Sequence, residues 1–260
     1  GASVRGFLNP LRIAVHLWHY RDLIRQLTWR EILGRYKGSY LGLGWSFIQP
    51  LIMLCVYTFV FSVIFNARWG IGAGESRTAF ALALFIGLIT FGIFAETANA
   101  APSLVLSNMN YVKKVVFPLE VLPVVKLLGA LVHALFSLLV LFAGILLFGQ
   151  GFRWTALLLP LVWLPLLLFT LGCGYVLASL GVFVRDIGTL IGVVTTMLFF
   201  LTPIFYPINA VPPEFHFFYR INPLSLFVED ARRVVLWGLT PDWPWFLLGL
   251  GLSVAAFLFG

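Results

Sequence analysis

The sequence predicts an all-α integral membrane fold. It has six transmembrane helices, an N-terminal amphipathic helix at the membrane interface, and two short re-entrant helices before the last span. Three observations carry this prediction. The chain is 61% apolar and 10% charged, with a mean hydropathy of +0.99, where a soluble domain is about 25% charged. Its apolar runs are long enough to cross a bilayer. A basic amphipathic stretch, Leu11 to Tyr36, runs into Ser46–Phe65, a segment of 20 residues without a charge.

The N-terminal stretch repeats apolar residues at helical spacing. Ile13, Leu17, Tyr20, Ile24 and Leu27 line one face, and Glu31 and Arg35 form an i,i+4 pair in the favourable order. Gly38, Gly42 and Gly44 then break the helix and turn the chain into the membrane. Such a helix serves either as a surface anchor or as a cuff that docks a partner or gathers an anionic substrate. Six spans follow: Ser46–Phe65, Ala79–Ala100, Val124–Phe148, Ala156–Val184, Leu190–Phe205, and Trp245 to the end. The last is short, and the natural chain is expected to continue past Gly260. Gly1-Ala2-Ser3 reads as a cloning remnant, and no cleavable signal peptide is expected.

Charge orients the spans. With the N-terminus inside, residues 1–45, the 101–123 loop with Lys126, and the Arg185-Asp186 turn hold 11 of the 17 Lys and Arg. The net charge of +7 lies beside apolar runs, as expected at an anionic leaflet rather than on nucleic acid. The loop Ser103–Pro123 carries Asn110, Tyr111, Lys113, Lys114, Phe117 and Pro118. It reads either as an ordinary positive loop or as a short helix that plugs a groove on another subunit. Pro118 and Pro123 are expected to close that helix.

Residues 203–244 hold seven of the 14 prolines. Phe215–Val228 is apolar but too short to span, and Glu229, Asp230, Arg232 and Arg233 interrupt it. A pair of helices dipping partly into the bilayer fits this pattern, with Glu229–Arg232 and Asp230–Arg233 as i,i+3 pairs. The two cysteines, Cys55 and Cys173, read as small buried residues. Gly188 and Gly192 form a GxxxG that permits close helix contact.

Glu96 is the acidic residue inside an apolar run, a candidate for pore lining or for a proton site. His16 and His19 lack further ligands nearby for a metal site. His133 is expected to bond a neighbouring helix, and His216 has no evident partner. There is no nucleophile elbow, no metal-ligand cluster and no GxxxxGK[ST], so the chain has no P-loop of its own. These features favour a translocating subunit over an enzyme.

Several motifs together resemble the polysaccharide-exporting ABC transporter permeases, which export O-antigen, capsule or teichoic acid. They are Thr28-Trp29-Arg30-Glu31-Ile32-Leu33-Gly34-Arg35-Tyr36-Lys37-Gly38-Ser39, Leu41-Gly42-Leu43-Gly44-Trp45 and Gln49-Pro50. Lys113-Lys114 with Phe117-Pro118, Phe183-Val184-Arg185-Asp186-Ile187, Thr202-Pro203-Ile204-Phe205-Tyr206-Pro207 and Asn222-Pro223 complete the set. The first span's approach looks most like the O-antigen (Wzm-type) branch, with capsule second. The resemblance implies a multi-pass protein of the bacterial inner membrane with its N-terminus cytoplasmic. It implies a homodimer bound to two copies of a cytoplasmic ABC ATPase. This chain holds no cofactor, and ATP and Mg belong to the partner. Residues 1–45 become a cytoplasmic interface-helix region and 46–260 a transmembrane domain, with a coupling loop at 108–120 and a gate region at 203–242.

The cargo implied is an undecaprenyl-pyrophosphate-linked polysaccharide. Its headgroup would be drawn to Arg21, Arg25, Arg30, Arg35 or Lys37. The glycan would pass aromatic rings, with Phe199, Phe200, Phe205, Tyr206, Pro207, Glu229 and Arg232 as channel or gate residues. Two other readings compete. A secondary transporter or channel using Glu96 would work without an ATPase. A lipid-linked sugar transferase would need an acidic motif facing water, which the sequence lacks.

Overall fold

A computed structural model describes residues 15, 17–36, 40–64, 77–109, 117–147 and 151–260. Among them the regular elements are all helical. They are α1 (Arg21–Tyr36), α2 (Trp45–Tyr57, widening into π-helical turns over Thr58–Ile64), α3 (Arg77–Ala100), α4 (Val121–Leu147) and α5 (Leu159–Phe183). After these come α6 (Ile187–Leu201), α7 (His216–Ile221), α8 (Pro223–Arg232, extended by Arg233–Trp237) and α9 (Trp243–Phe259). Three helical stretches are long and apolar enough to cross a membrane: Thr78–Ser107, Val121–Leu147 and Trp154–Phe183. Trp45–Phe61, Ile187–Leu201 and Trp243–Phe259 are shorter apolar helices.

The central helix is α3. Its apolar window is 72% buried, against 44% for that of α4 and 50% for that of α5. Phe80, Leu82, Leu84, Ile86 and Ile93 are sealed around its circumference, the pattern of a helix surrounded by others. Two helices touch backbone to backbone beside it. A Cβ on Gly181 of α5 would lie 2.2 Å from the Pro102 carbonyl oxygen, so only glycine permits this approach.

Prolines set several ends differently from expectation. The second span was expected to stop at Ala100, but its helical course continues through Ala101–Ser103 and Leu104–Ser107. Pro102 sits where the α-helix tightens into the turn Ala101–Ser103. Pro123 does not close a loop helix. It lies in the first turn of α4, which starts at Val121, where backbone N–H groups have no intrahelical partner. The helix expected to reach Phe205 ends at Leu201, because Thr202 precedes Pro203 and is extended (φ −85°, ψ 137°).

In the proline-rich region, Asn222 caps α8 by accepting from the Leu224 N–H at 3.1 Å, and Pro223 occupies the first helical position. The charges expected to interrupt an apolar stretch instead belong to one continuous helix, with Asp230 and Arg232 buried. Asp230 feels the Arg233 charge through space, but its hydrogen bond comes from elsewhere. Its Oδ1 accepts from the Asp242 N–H at 3.0 Å, while Arg233 lies 3.9 Å from the Asp242 carboxylate. Cys55 was expected to be buried, yet it is exposed on this chain, and Cys173 is half-buried. Both belong to apolar helices whose outer faces need no polar cover if lipid surrounds them.

Candidate functional site

The predicted apolar face of α1 docks on α4. Ile24 packs with Val121 and Val125, flanked by Leu17, Tyr20 and Leu27. Further along, Glu31 accepts from Lys126 Nζ at 2.6 Å, and its Cγ comes within 3.2 Å of where a Gly129 Cβ would stand. Further still, Arg35 and His133 meet at one carboxylate. The contacts advance in step along both helices. A helix lying flat on a bilayer would touch a spanning helix at one point. Here α1 follows α4 from Ile24 to Arg35, about 16 Å at 1.5 Å per residue.

That carboxylate is Glu96, on α3. Arg35 grips it through both terminal guanidinium nitrogens: Nη2 bonds Oε1, and Nη1 donates to Oε2 at 3.3 Å. Lys126 Nζ lies 3.8 Å from Oε1, and His133 Nδ1 lies 3.4 Å from Oε2. Two carboxylates, one guanidinium, one ammonium and one imidazole thus join α1, α3 and α4. The fork geometry is the strong form of such a contact. Lys126 is shared between Glu31 and Glu96, so the pairs form one network rather than isolated bridges. The i,i+4 spacing of Glu31 and Arg35 therefore serves two neighbouring helices, each residue reaching a different one. Among the described residues, Ser46 Oγ and His133 Nε2 are buried without a hydrogen-bond partner, and both residues border one cavity of about 10 Å³ between α1, α2 and α4.

Larger spaces flank the network. Between α2, α3 and α4, a cavity of about 330 Å³ is bordered by Gln49, Tyr57, Glu96, His133 and Phe199. A groove of about 1080 Å³ lies against Arg30, Lys126, Leu104 and Asn108, beside the ends of the 108–120 loop. A second groove, about 1100 Å³, lies on the other side of α1 against Arg21 and Arg25. The four described residues among the candidate headgroup cations border different grooves. Arg21 and Arg25 border one groove, Arg30 and Arg35 border the other, and Arg35 is held by Glu96. Lys37, Asn110, Tyr111, Lys113 and Lys114 lie outside the described residues. Phe117 and Pro118 are half-buried just before α4.

A second charge centre lies toward the opposite end of α3. Arg232 of α8 is fully buried. Its Nε donates to the Ala83 carbonyl of α3 at 2.8 Å, its Nη1 to that of Pro203 at 2.5 Å, and its Nη2 to that of Ile204 at 2.8 Å. Glu229 lies 3.5 Å away, the expected i,i+3 pair. One side chain thus fixes α8, α3 and the Thr202–Ile204 turn together. Phe205, next along, is the hub of an aromatic cluster. Its ring centroid is 4.9 Å from that of Phe199, 5.3 Å from that of Phe61, and 6.0 Å from that of Phe200. The Tyr206 hydroxyl bonds the Phe200 carbonyl at 2.7 Å and the Tyr219 hydroxyl at 2.8 Å, and Pro207 is half-buried beside it. His216 has a partner after all, the Val211 carbonyl at 2.8 Å.

Sequence reasoning did not assemble Glu31, Glu96, Lys126 and His133 into one site. A signal was present: Lys126 and His133 are i,i+7, which places them on one face of α4. What was missing was the knowledge that this face meets α1 and Glu96.

Long apolar helices joined by buried charge networks define the class of helical membrane proteins. The chain belongs to the ABC-2 type transporter family, which it matches over residues 22–236. It is 30% identical over 234 residues to the O-antigen export system permease protein RfbA of Myxococcus xanthus, covering 89% of this chain and 87% of that protein. It is 25% identical over 232 residues to the Klebsiella pneumoniae protein of that name, covering 88% and 85%. It is 26% identical over 220 residues to the polysialic acid transport protein KpsM of Escherichia coli, covering 83% and 81%.

Proposed function

We propose that this chain is the permease subunit of an ATP-driven exporter that moves a lipid-linked polysaccharide across the bacterial inner membrane. O-antigen is the preferred cargo and capsule the second. Two copies form the translocation path, and each engages a cytoplasmic ABC ATPase that holds ATP and Mg. The chain crosses the membrane six times, with α2, α3, α4, α5, α6 and α9 as spans. Its N-terminus faces the cytoplasm, and α7 and α8 are re-entrant gate helices on the far side.

The observation that carries the reading is the charge network at Glu96. It ties α1 to α3 and α4, the two helices that the 108–120 loop connects. A push on that loop from an ATPase would reach α1 through Glu96, Lys126 and Arg35. The groove beside Arg30 adjoins the same loop, so an anionic pyrophosphate drawn there would sit where the ATPase acts. The aromatic cluster of Phe199, Phe200 and Phe205 supplies ring faces for sugar C–H groups. The engagement of Glu96 by Arg35 and Lys126 favours a structural role for it over proton coupling.

The test is to replace Lys113, Lys114 and Phe117 together in the purified permease–ATPase complex. Export into vesicles should fall at least tenfold while basal ATP hydrolysis and folding persist. Unchanged export would remove the loop from the coupling path.

A further inference from the structure

The groove on the outer side of α1 differs in chemistry from the one beside the loop. Its wall is the apolar flank of α4, where Val124, Leu128 and Leu131 are only half-buried. That flank does not end with the groove. Leu135 and Leu139, 49% and 57% exposed, continue it up α4 at four-residue steps. From Leu128 to Leu139 the strip is about 16 Å long at 1.5 Å per residue. An apolar slot open sideways onto such a strip suits a hydrocarbon chain.

The rim is cationic. Arg21 and Arg25 are both exposed and four residues apart, so they share a face of α1. The Arg21 guanidinium lies 5.5 Å from the ring centre of Trp18. Asp22 also borders the groove, leaving a net charge of +1 among the three. Trp18 and Trp29 frame the groove and are 70% and 60% exposed, as aromatic rings at a membrane–water boundary are.

Thr28 supplies an independent observation. It borders the groove and is nine-tenths buried, yet its hydroxyl has no hydrogen-bond partner among the described residues. Buried hydroxyls are ordinarily bonded. The hydroxyl itself has no open surface, so a ligand with an acceptor oxygen at the rim would satisfy it once the side chain turns toward the groove.

We propose that this groove binds one anionic phospholipid of the leaflet that α1 faces. Its phosphodiester is bridged by Arg21 and Arg25, a phosphate oxygen accepts from the Thr28 hydroxyl, and an acyl chain follows Leu128, Leu131 and Leu135. The proposal rests on the reading of α4 as a span with α1 at its cytoplasmic end. It separates a structural lipid from the cargo, whose headgroup is drawn to the other groove.

The experiment is native mass spectrometry of the full chain equilibrated in neutral detergent with phosphatidylglycerol or phosphatidylcholine. One phosphatidylglycerol per chain should be retained at least tenfold better than phosphatidylcholine. Retention should fall about tenfold in the Arg21→Gln/Arg25→Gln variant and severalfold in Thr28→Val. Equal retention of the two lipids, or no loss in the variants, overturns the proposal. So does displacement of phosphatidylglycerol by an equal concentration of undecaprenyl phosphate, which would make this groove a cargo site. Should those variants not fold, a milder substitution on the exposed rim decides. Brominated phosphatidylglycerol should quench more fluorescence in wild type than in Trp18→Phe, and brominated phosphatidylcholine should show no such difference. Cargo-stimulated ATP hydrolysis by the complex in phosphatidylcholine alone reads the export function separately, so failure of one reading is told from failure of the other.

Discussion

Removing Arg35 from the Glu96 network has a cost that can be worked out. Arg35→Gln deprives Glu96 of its two-pronged partner and leaves Lys126 Nζ at 3.8 Å and His133 at 3.4 Å. The Arg35 and Glu96 side chains are 30% and 22% exposed. Breaking a buried pair by removing one partner costs about 3–5 kcal/mol, and this partial exposure puts the value near the lower end. Each single variant, Arg35→Gln or Glu96→Gln, should therefore lose about 3 kcal/mol, a factor of about 100 in the folded-to-unfolded ratio. The double variant removes both charges and should cost less than the sum, by about 1–3 kcal/mol. The assay is equilibrium unfolding in mixed micelles for wild type, both singles and the double. Additivity within about 0.5 kcal/mol would refute the network, as would a Glu96→Gln variant as stable as wild type.

Two further outcomes follow from other contacts. Arg232→Gln removes donors to the Ala83, Pro203 and Ile204 carbonyls and should destabilise by at least about 3 kcal/mol, since charged hydrogen bonds contribute about 1.5–3 kcal/mol each; Arg232→Lys should recover little of it, because an ammonium cannot reproduce the fork, and thermal unfolding reads both. Gly181→Ala should abolish folding or lower Tm sharply, because its Cβ would meet Pro102 backbone at 2.2 Å, whereas Gly192→Ala, with nothing within 4 Å, should leave the Tm of the single chain unchanged; equal Tm values would contradict the α5 packing.

The helices were legible because their determinants are local. Uninterrupted apolar runs gave the apolar helices, and the four-three spacing from Leu17 to Leu27 gave the face that docks on α4. One error fell at a proline, since a proline in a first turn begins a helix as readily as it ends one; Pro123 is that case. The charge network was only partly legible. Glu96 stood out as a lone acid and Glu31–Arg35 as a pair. Their true partners lie 61 and 95 residues away in sequence, and no local pattern encodes which faces meet across that distance. The further partners of Arg232 were illegible for the same reason: beyond its expected pair with Glu229, it meets the carbonyls of Ala83, Pro203 and Ile204, which lie 28 or more residues away in sequence.

Both charge centres share α3, and that gives the helix a mechanical role in the proposed exporter. Glu96 and Ala83 are 13 residues apart, about 20 Å along the axis. No proline interrupts α3 between them, and the intervening residues Leu84, Ile86 and Ile93 are sealed in packed surroundings. A close-packed helix of this kind moves as a body, because its neighbours cannot absorb strain gradually. A displacement imposed at Glu96 by α1 and α4 should therefore arrive at the Ala83 carbonyl, and through Arg232 at the Thr202–Ile204 turn that carries Phe205. The expected sign of this linkage is that Arg35→Gln, though it lies at the far end of α3, speeds amide hydrogen exchange at Ile204, whose N–H bonds the Thr202 carbonyl at 2.6 Å. If exchange rises only near Glu96 and Ile204 stays protected as in wild type, α3 does not transmit, and the two charge centres are independent pieces of scaffolding.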